Sequence, residues 1–342
     1  MIMAKRESGS DVIYAETECV TIELATANEL ERNSASMMEK RTFTTEKDGF
    51  NGAWYPTHRT KKAFVMMLGD DSEDYMARCG VKYLQDFGFS VMAMSPGKKD
   101  YGHHNYPLER FDTALDFMKK EGMEKFGIIG ASTTGMAALA AASFFSDFTL
   151  TIALSPCDFI MEGFYQDGKD GMKERPGDNE STLSYRGRPL PYLPYAYRHP
   201  EYWKQIEAYS KETGNFIASR KLFDDSEKLH PLKEEEKIRV ERIKGKIVFI
   251  GAEDDCLWDT CRYIRRMEDR LSKKEHECTY EAYLYEHGTH FVFPQSMLKR
   301  MLPVGSSLLV GMMFKDGRKY AKECKETRIN IDRRLRKVLG EF

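Results

Sequence analysis

Short apolar runs alternate with amphipathic segments along most of this chain. The segment 107–120 is one of the amphipathic ones, and its Leu108, Phe111 and Leu115 fall on one face at helical spacing. Uninterrupted apolar runs separated by helices are typical of a parallel sheet that is covered on both faces. The pattern therefore predicts an α/β fold with a mostly parallel central sheet flanked by helices. The predicted strands lie at 63–68, 89–94, 126–129, 149–154, 246–251 and 280–285.

A helix is predicted over 72–87, between the first two of these strands. Its apolar positions recur at helical spacing and are expected to face the sheet. They are Tyr75, Met76, Val81 and Leu84.

Residues 1–60 depart from the alternating pattern and are predicted to form an N-terminal extension. This stretch is polar, apart from an alternating run at 19–24 that is typical of an edge strand. Segments 38–45 and 50–55 are predicted to pair as a β-hairpin, turned by the Lys-Asp-Gly sequence at 47–49.

A second departure covers residues 157–243. This stretch contains several Gly and Pro residues, no clear strand, and two polar segments near 200–213 and 233–243 that are predicted to be helices. It is too long for a simple loop of a compact domain. We therefore predict an inserted cap or lid at 157–243, with a surface excursion as the alternative. The core is then formed by residues 61–156 and 244–342.

The composition argues against nucleic acid and membranes as binding partners. The net charge is -2, so there is no bulk electrostatic case for nucleic acid or a membrane surface. No run approaches the ~20 apolar residues that a membrane span needs, and the first residues lack the apolar core of a signal peptide. The seven cysteines have no regular spacing, which favours reduced thiols. We expect a cytoplasmic protein, and composition leaves a homo-oligomer open.

One serine lies on a tight turn between a strand and a small-residue helix. The strand 126–129 leads through Gly130 to Ser132, and the helix is predicted over 136–144. This is how α/β-hydrolases hold a nucleophile, with the serine backbone strained and its hydroxyl clear of the sheet. The turn requires small residues two before and two after the serine. Gly130 meets this requirement and Thr134 fits it less well, so a plain helix cap at Ser132 is the alternative.

An acid and a histidine follow later strands in the chain order that α/β-hydrolases use. The Asp254–Asp255 pair follows strand 246–251, and His290 follows the last strand. The carboxyl ends of parallel strands converge on one crevice, so Ser132 can meet both. The residues alone leave either aspartate open as the acid. His287 is a competing base directly after the strand, and we favour His290, which lies deeper in the loop.

These residue types suit nucleophilic catalysis. A serine hydroxyl is a weak nucleophile until a neutral imidazole takes its proton, and a carboxylate then fixes the imidazole tautomer. A developing oxyanion needs donors, for which we predict the backbone N–H of Thr133 and one from the loop after strand 63–68, at Gly69 or Asp70, with Asp70 preferred. This chemistry requires neither a metal nor an organic cofactor.

Several stretches together resemble a known family, in the family's own order. They are 86–94, 107–111, the turn at Ser132, 240–246, 251–258, His290 and 316–317. On these grounds, residues from about 62 to 342 resemble the catalytic C-terminal domain of acyl-CoA thioesterases and bile acid-CoA:amino acid N-acyltransferases, within the α/β-hydrolase superfamily. The resemblance implies an α/β-hydrolase fold and a triad of Ser132, Asp255 and His290. Matching on Trp258 places the acid on Asp255 rather than Asp254.

The chain departs from the family pattern in two places. Full-length members carry an N-terminal β-sandwich, for which about sixty residues before the core are too few. The family's oxyanion loop is small and glycine-rich, whereas residues 69–72 read Gly-Asp-Asp-Ser.

The combined expectation is a serine hydrolase that cleaves a thioester or ester of a small-molecule acyl substrate through an acyl-enzyme on Ser132. A serine, where the amino-acid transferases use cysteine, favours water as acceptor. A carboxylesterase or amidase and an N-acyltransferase are alternatives within the enzymes. A non-catalytic binding module on the same fold is the alternative from another class.

Overall fold

The structure, a computed structural model, describes residues 39–98, 102–164, 180–197, 201–303 and 305–342. Its strands, in chain order, are β1 (Arg41–Phe43), β2 (Asn51–Tyr55), β3 (Lys62–Met67), β4 (Ser90–Ser95), β5 (Tyr106–Pro107), β6 (Lys125–Ala131), β7 (Phe148–Leu154), β8 (Leu183–Tyr185), β9 (Arg188–Pro189), β10 (Lys246–Ala252) and β11 (Thr279–Tyr285). Eight of these strands form the central sheet, in the order β1-β2-β4-β3-β6-β7-β10-β11. From β4 to β11 all neighbours run parallel, while β1 and β2 add an antiparallel edge.

Helices cover both faces of this sheet. They are α1 (Thr45–Asp48), α2 (Tyr75–Gln85), α3 (Glu109–Lys120), α4 (Thr133–Phe144), α5 (Glu201–Thr213), α6 (Arg220–Leu229), α7 (Thr260–Lys273), α8 (Gln295–Met301), α9 (Ser306–Met313), α10 (Lys315–Lys319) and α11 (Ala321–Glu341). One apolar cluster contains buried residues of α3, α4 and α7, and a second contains residues of α2, α8 and α11. Because both faces are buried, the central strands are apolar at nearly every position. The predicted α/β-hydrolase fold is confirmed.

The N-terminal hairpin pairs as predicted, since β1 and β2 are antiparallel neighbours. The turn differs, because residues 45–48 form the helical turn α1, which ends at Gly49 with φ of 84°. The alternating run at 19–24 lies outside the described residues.

Helix α2 faces the sheet with a different set of residues from the predicted one. Val81 and Leu84 are buried as expected, but Tyr75 and Met76 are 52% and 37% exposed. These two residues form the first turn of the helix, and the Tyr75 hydroxyl donates to the Arg300 carbonyl at 2.7 Å. The apolar stripe therefore includes the first turn of the helix, but the side chains of that turn remain exposed.

The segment between β7 and β10 differs from its prediction in two ways. It contains strands: β8 pairs in parallel with β5 and antiparallel with β9, outside the central sheet. Its second helix is α6, whereas the helix predicted at 233–243 is replaced by two short 3₁₀ turns. Backbone groups there bond to a neighbouring segment, as in the pair of Ile238 N–H with the Asp158 carbonyl at 2.9 Å. The role of 157–243 as a cap, and the domain limits, stay predictions.

Candidate active site

Ser132 occupies the turn between β6 and α4 in a strained backbone conformation. Its φ is 60° and its ψ is -129°, which is costly for a residue with a side chain. Its N–H donates to the Leu154 carbonyl at 2.8 Å, which ties the turn to β7. A Cβ atom at Gly130 would lie 2.0 Å from the Thr134 carbonyl oxygen. The turn therefore requires glycine at residue 130.

Thr134 fits this turn because its side chain points back into it. The hydroxyl accepts the Ala131 N–H at 3.0 Å and lies 3.0 Å from the Met67 carbonyl and 2.8 Å from that of Ala131. The threonine thus links the turn to the end of β3. The poorer fit expected from its size is offset by these hydrogen bonds.

Asp255 presents a buried, fully hydrogen-bonded carboxylate at the end of β10. Its Oδ1 accepts the N–H groups of Leu257 at 2.9 Å and Trp258 at 3.4 Å. Its Oδ2 accepts the Thr260 hydroxyl at 2.5 Å and lies 2.8 Å from His290 Nδ1. A carboxylate can only accept, so the imidazole carries its proton on Nδ1 and leaves Nε2 as the basic nitrogen.

Asp254 has a different partner set from its neighbour. Its Oδ1 accepts the N–H groups of Gly288 at 2.9 Å and Thr289 at 2.7 Å, and its Oδ2 lies 3.3 Å from His287 Nδ1. Burial raises the pKa of Asp254, and these N–H groups oppose that shift. Asp254 therefore holds the backbone of the histidine loop, where Thr289 has a φ of 58°.

The His290 ring is buried and held from several sides. The Trp258 ring lies edge-on to it at 4.9 Å, and the Ser155 hydroxyl donates to the His290 carbonyl at 3.0 Å. The competing base, His287, stacks on Tyr320 at 3.7 Å between ring centres. The structure thus brings His290 to Asp255 and directs His287 towards Asp254.

Ser132 and His290 line one cavity of about 250 Å³. Its other walls are mainly apolar and include Met76, Leu257 and Phe293. Among the described residues, His290 Nε2 has no hydrogen-bond partner, so the Ser132 hydroxyl does not bond to it in this conformation. Such contacts are often long without substrate and tighten when the substrate binds.

The two predicted oxyanion donors differ in availability. The Thr133 N–H lies in the first turn of α4, where no intrahelical carbonyl can accept it. The Asp70 N–H, in contrast, donates to Asp74 Oδ2 at 2.9 Å. The Asp70 N–H is thus already engaged in this conformation, and its role as an oxyanion donor stays a prediction. It is engaged because Asp74 caps α2 through its other oxygen, to Ala77 N–H at 2.7 Å, and its Oδ2 reaches back into the loop.

Several side chains that hold this site were not singled out from the sequence. Asp74 had a local signal, since an aspartate before an apolar-periodic segment is typical of a helix cap. Thr260 and Ser155 had none, because their partners lie on other elements.

Within the described ranges, no group of three or more His, Cys, Asp or Glu side chains is placed to hold a metal ion. None of the described helices is long and apolar enough to span a bilayer.

The family model described as BAAT / Acyl-CoA thioester hydrolase C terminal matches residues 106–300. A comparison with curated proteins finds no match. Among solved structures, Est1E from Butyrivibrio proteoclasticus is 12% identical, with a TM-score of 0.39, over 84% of this chain and 99% of its own. The Pyrococcus furiosus esterase Pf2001 is 14% identical, with a TM-score of 0.44, over 83% of this chain and 92% of its own. The α/β hydrolase MGS-M1, from a Medee basin deep-sea metagenome library, is 12% identical, with a TM-score of 0.45, over 87% of this chain and 99% of its own. Similarity this low specifies no substrate.

Proposed function

Since this chain belongs to the BAAT / acyl-CoA thioester hydrolase C-terminal family, and is therefore a hydrolase that acts on esters or thioesters, we propose that it works through an acyl-enzyme on Ser132. One observation carries the proposal. Ser132 and the imidazole of His290 line the same apolar cavity, and Nδ1 of that imidazole is bonded to the buried carboxylate of Asp255.

In the proposed first step, His290 Nε2 takes the Ser132 proton as the hydroxyl attacks the acyl carbonyl. Asp255 stabilises the imidazolium that forms and keeps the proton on Nδ1. The thiolate or alkoxide then leaves with the proton from Nε2. Water then enters the cavity and gives a proton to Nε2 as its oxygen attacks the acyl carbonyl. The bond between the acyl carbon and the Ser132 oxygen breaks, and that oxygen takes the proton from Nε2, which releases the acid and restores the serine.

The oxyanion formed in each step is stabilised by the Thr133 N–H and by a second donor from the loop at Gly69 and Asp70. The Asp70 N–H serves only after Asp74 has released it. Two donors of this kind are needed for high rates, because removal of one typically costs about 100- to 1000-fold in turnover. In the proposed mechanism the Asp70 N–H therefore exchanges its bond to Asp74 for one to the oxyanion when substrate binds.

The cavity supports a small or short acyl group as substrate. Met76, Leu257 and Phe293 provide apolar walls, and a volume of about 250 Å³ lies just below the usual range of small-molecule sites, about 300 to 1,000 Å³. A serine nucleophile favours transfer to water rather than to an amine. We therefore propose hydrolysis of a short-chain thioester or ester by a cytoplasmic enzyme.

Labelling with a fluorophosphonate tests the nucleophile. The folded protein should be labelled, and Ser132→Ala should lose the label and the hydrolysis of acyl-CoA and nitrophenyl esters. Ser143→Ala is the matched control, since that serine lies near the far end of α4, the helix that Ser132 precedes, and its hydroxyl donates to the Ala140 carbonyl at 2.7 Å. Absence of labelling in folded protein would overturn the proposal and favour a binding module.

A further inference from the structure

Two consecutive residues of the inserted segment bond to the loop that carries Asp255. The backbone N–H groups of Ser219 and Arg220 both donate to the Cys256 carbonyl, at 3.1 Å and 3.0 Å. The Ser219 hydroxyl donates to the Leu257 carbonyl at 2.8 Å. The start of α6 is thus fastened to the residues that directly follow the acid.

The Arg220 side chain contacts the same loop at three residues between 253 and 259. Its Nη1 donates to the carbonyls of Glu253 at 3.1 Å and Asp255 at 3.3 Å, and its Nη2 pairs with Asp259 at 2.5 Å. The side chain is 29% exposed, so most of it is shielded from water. A guanidinium has several donors in one rigid plane, so it can hold three acceptors at once, whereas an ammonium is a flexible point charge.

The same helix also reaches the base through aromatic contacts. Phe223 of α6 lies edge-on to Trp258 at 5.3 Å, and Trp258 lies edge-on to His290 at 4.9 Å. Phe223 and Trp258 are both buried. One element of the insertion therefore contacts the backbone of the acid loop and the ring that packs on the base.

We propose that Arg220 is a positioning residue for the reaction, which it serves by fixing the backbone of Asp255 so that its carboxylate faces His290. The proposal rests on the proposed function of those two residues. Without the guanidinium, the carbonyls of residues 253 and 255 lose their shared donor and the loop can relax. A further consequence is that the start of α6 belongs to the rigid site and does not swing as a hinged lid.

Kinetics of Arg220→Ala test this role. Turnover should fall about 10- to 100-fold with little change in KM, because small misplacements of reacting groups are costly while the apolar cavity is untouched. Arg220→Lys keeps a charge near Asp259 but cannot reach both carbonyls, so it should recover only part of kcat. Lys221→Ala is the matched control, since its exposed ion pair with Asp225 stays within α6.

A combination with Asp255→Asn separates positioning from general damage. If Arg220 acts through Asp255, Arg220→Ala should add little to the loss already caused by Asp255→Asn. Full kcat in Arg220→Ala or Arg220→Lys, or additive losses in the double variant, would overturn the role of Arg220. If Arg220→Ala fails to fold, the Lys variant still decides. Activity retained by Ser132→Ala or Asp255→Asn would instead overturn the proposed function.

Discussion

The Asp74 carboxylate accepts the backbone N–H of Asp70 at 2.9 Å and so occupies the group that we propose as the second oxyanion donor. Asp74→Ser should keep the helix cap, because a serine hydroxyl can accept the Ala77 N–H, but it cannot also reach Asp70. We expect kcat to rise, since the substitution frees a donor and removes a negative charge beside the developing oxyanion. Steady-state kinetics measure this. An unchanged or lower kcat would mean that Asp70 is not the second donor.

The two neighbouring aspartates should respond differently to the same substitution. Asp255→Asn should lower kcat by about 10⁴-fold, since the amide stabilises the wrong imidazole tautomer. Asp254→Asn should have a small effect, because its amide oxygen can still accept the N–H groups of Gly288 and Thr289. Kinetics of the two variants decide the assignment. A larger loss in Asp254→Asn would move the acid by one residue.

Asp254 should also make stability depend on pH. Burial raises the pKa of its carboxyl in the native state. At pH values between the ordinary pKa and the raised one, the native state therefore holds a proton that the unfolded state has released. Stability from this group is therefore present below the ordinary pKa of about 4 and is lost as pH rises through the raised value. Asp254→Asn cannot titrate, so its free energy of unfolding should improve relative to wild type between pH 4 and pH 7. Urea unfolding at both pH values checks this, and a constant difference would contradict it.

Glycine at residue 130 should be indispensable. The added Cβ of Gly130→Ala would meet a backbone oxygen, which cannot move aside as a flexible side chain could. We expect a loss of several kcal/mol in the free energy of unfolding, about 3 or more, and loss of fluorophosphonate labelling. Gly340→Ala is the control. Nothing lies within 4 Å of its added Cβ in α11, so it should stabilise by up to about 1 kcal/mol. Equal stability of the two variants would contradict this reading.

Much of the core could be predicted because its signals are local. Each central strand is buried on both faces and therefore consists mainly of apolar residues, as at residues 246–252 of β10. The turn at Ser132 is also local, since Gly130 and the small residues of α4 lie within one strand-to-helix unit. Where the prediction was wrong, as at residues 233–243, a continuous helix is interrupted because Ile238 N–H bonds to the Asp158 carbonyl, a group distant in sequence.

The sequence by itself determined the parallel sheet, the strained serine turn and the order in which acid and histidine follow later strands, because these depend on spacing along the chain. The residues alone left either aspartate open and the family resemblance favoured Asp255, but only the tertiary structure shows that Asp255 faces His290, since adjacent residues of a loop point in different directions. It also decided that Asp74 engages Asp70 and that Arg220 fastens the acid loop. Those contacts depend on which distant carbonyls and N–H groups the fold brings within about 3 Å of one another, and no local pattern records that distance.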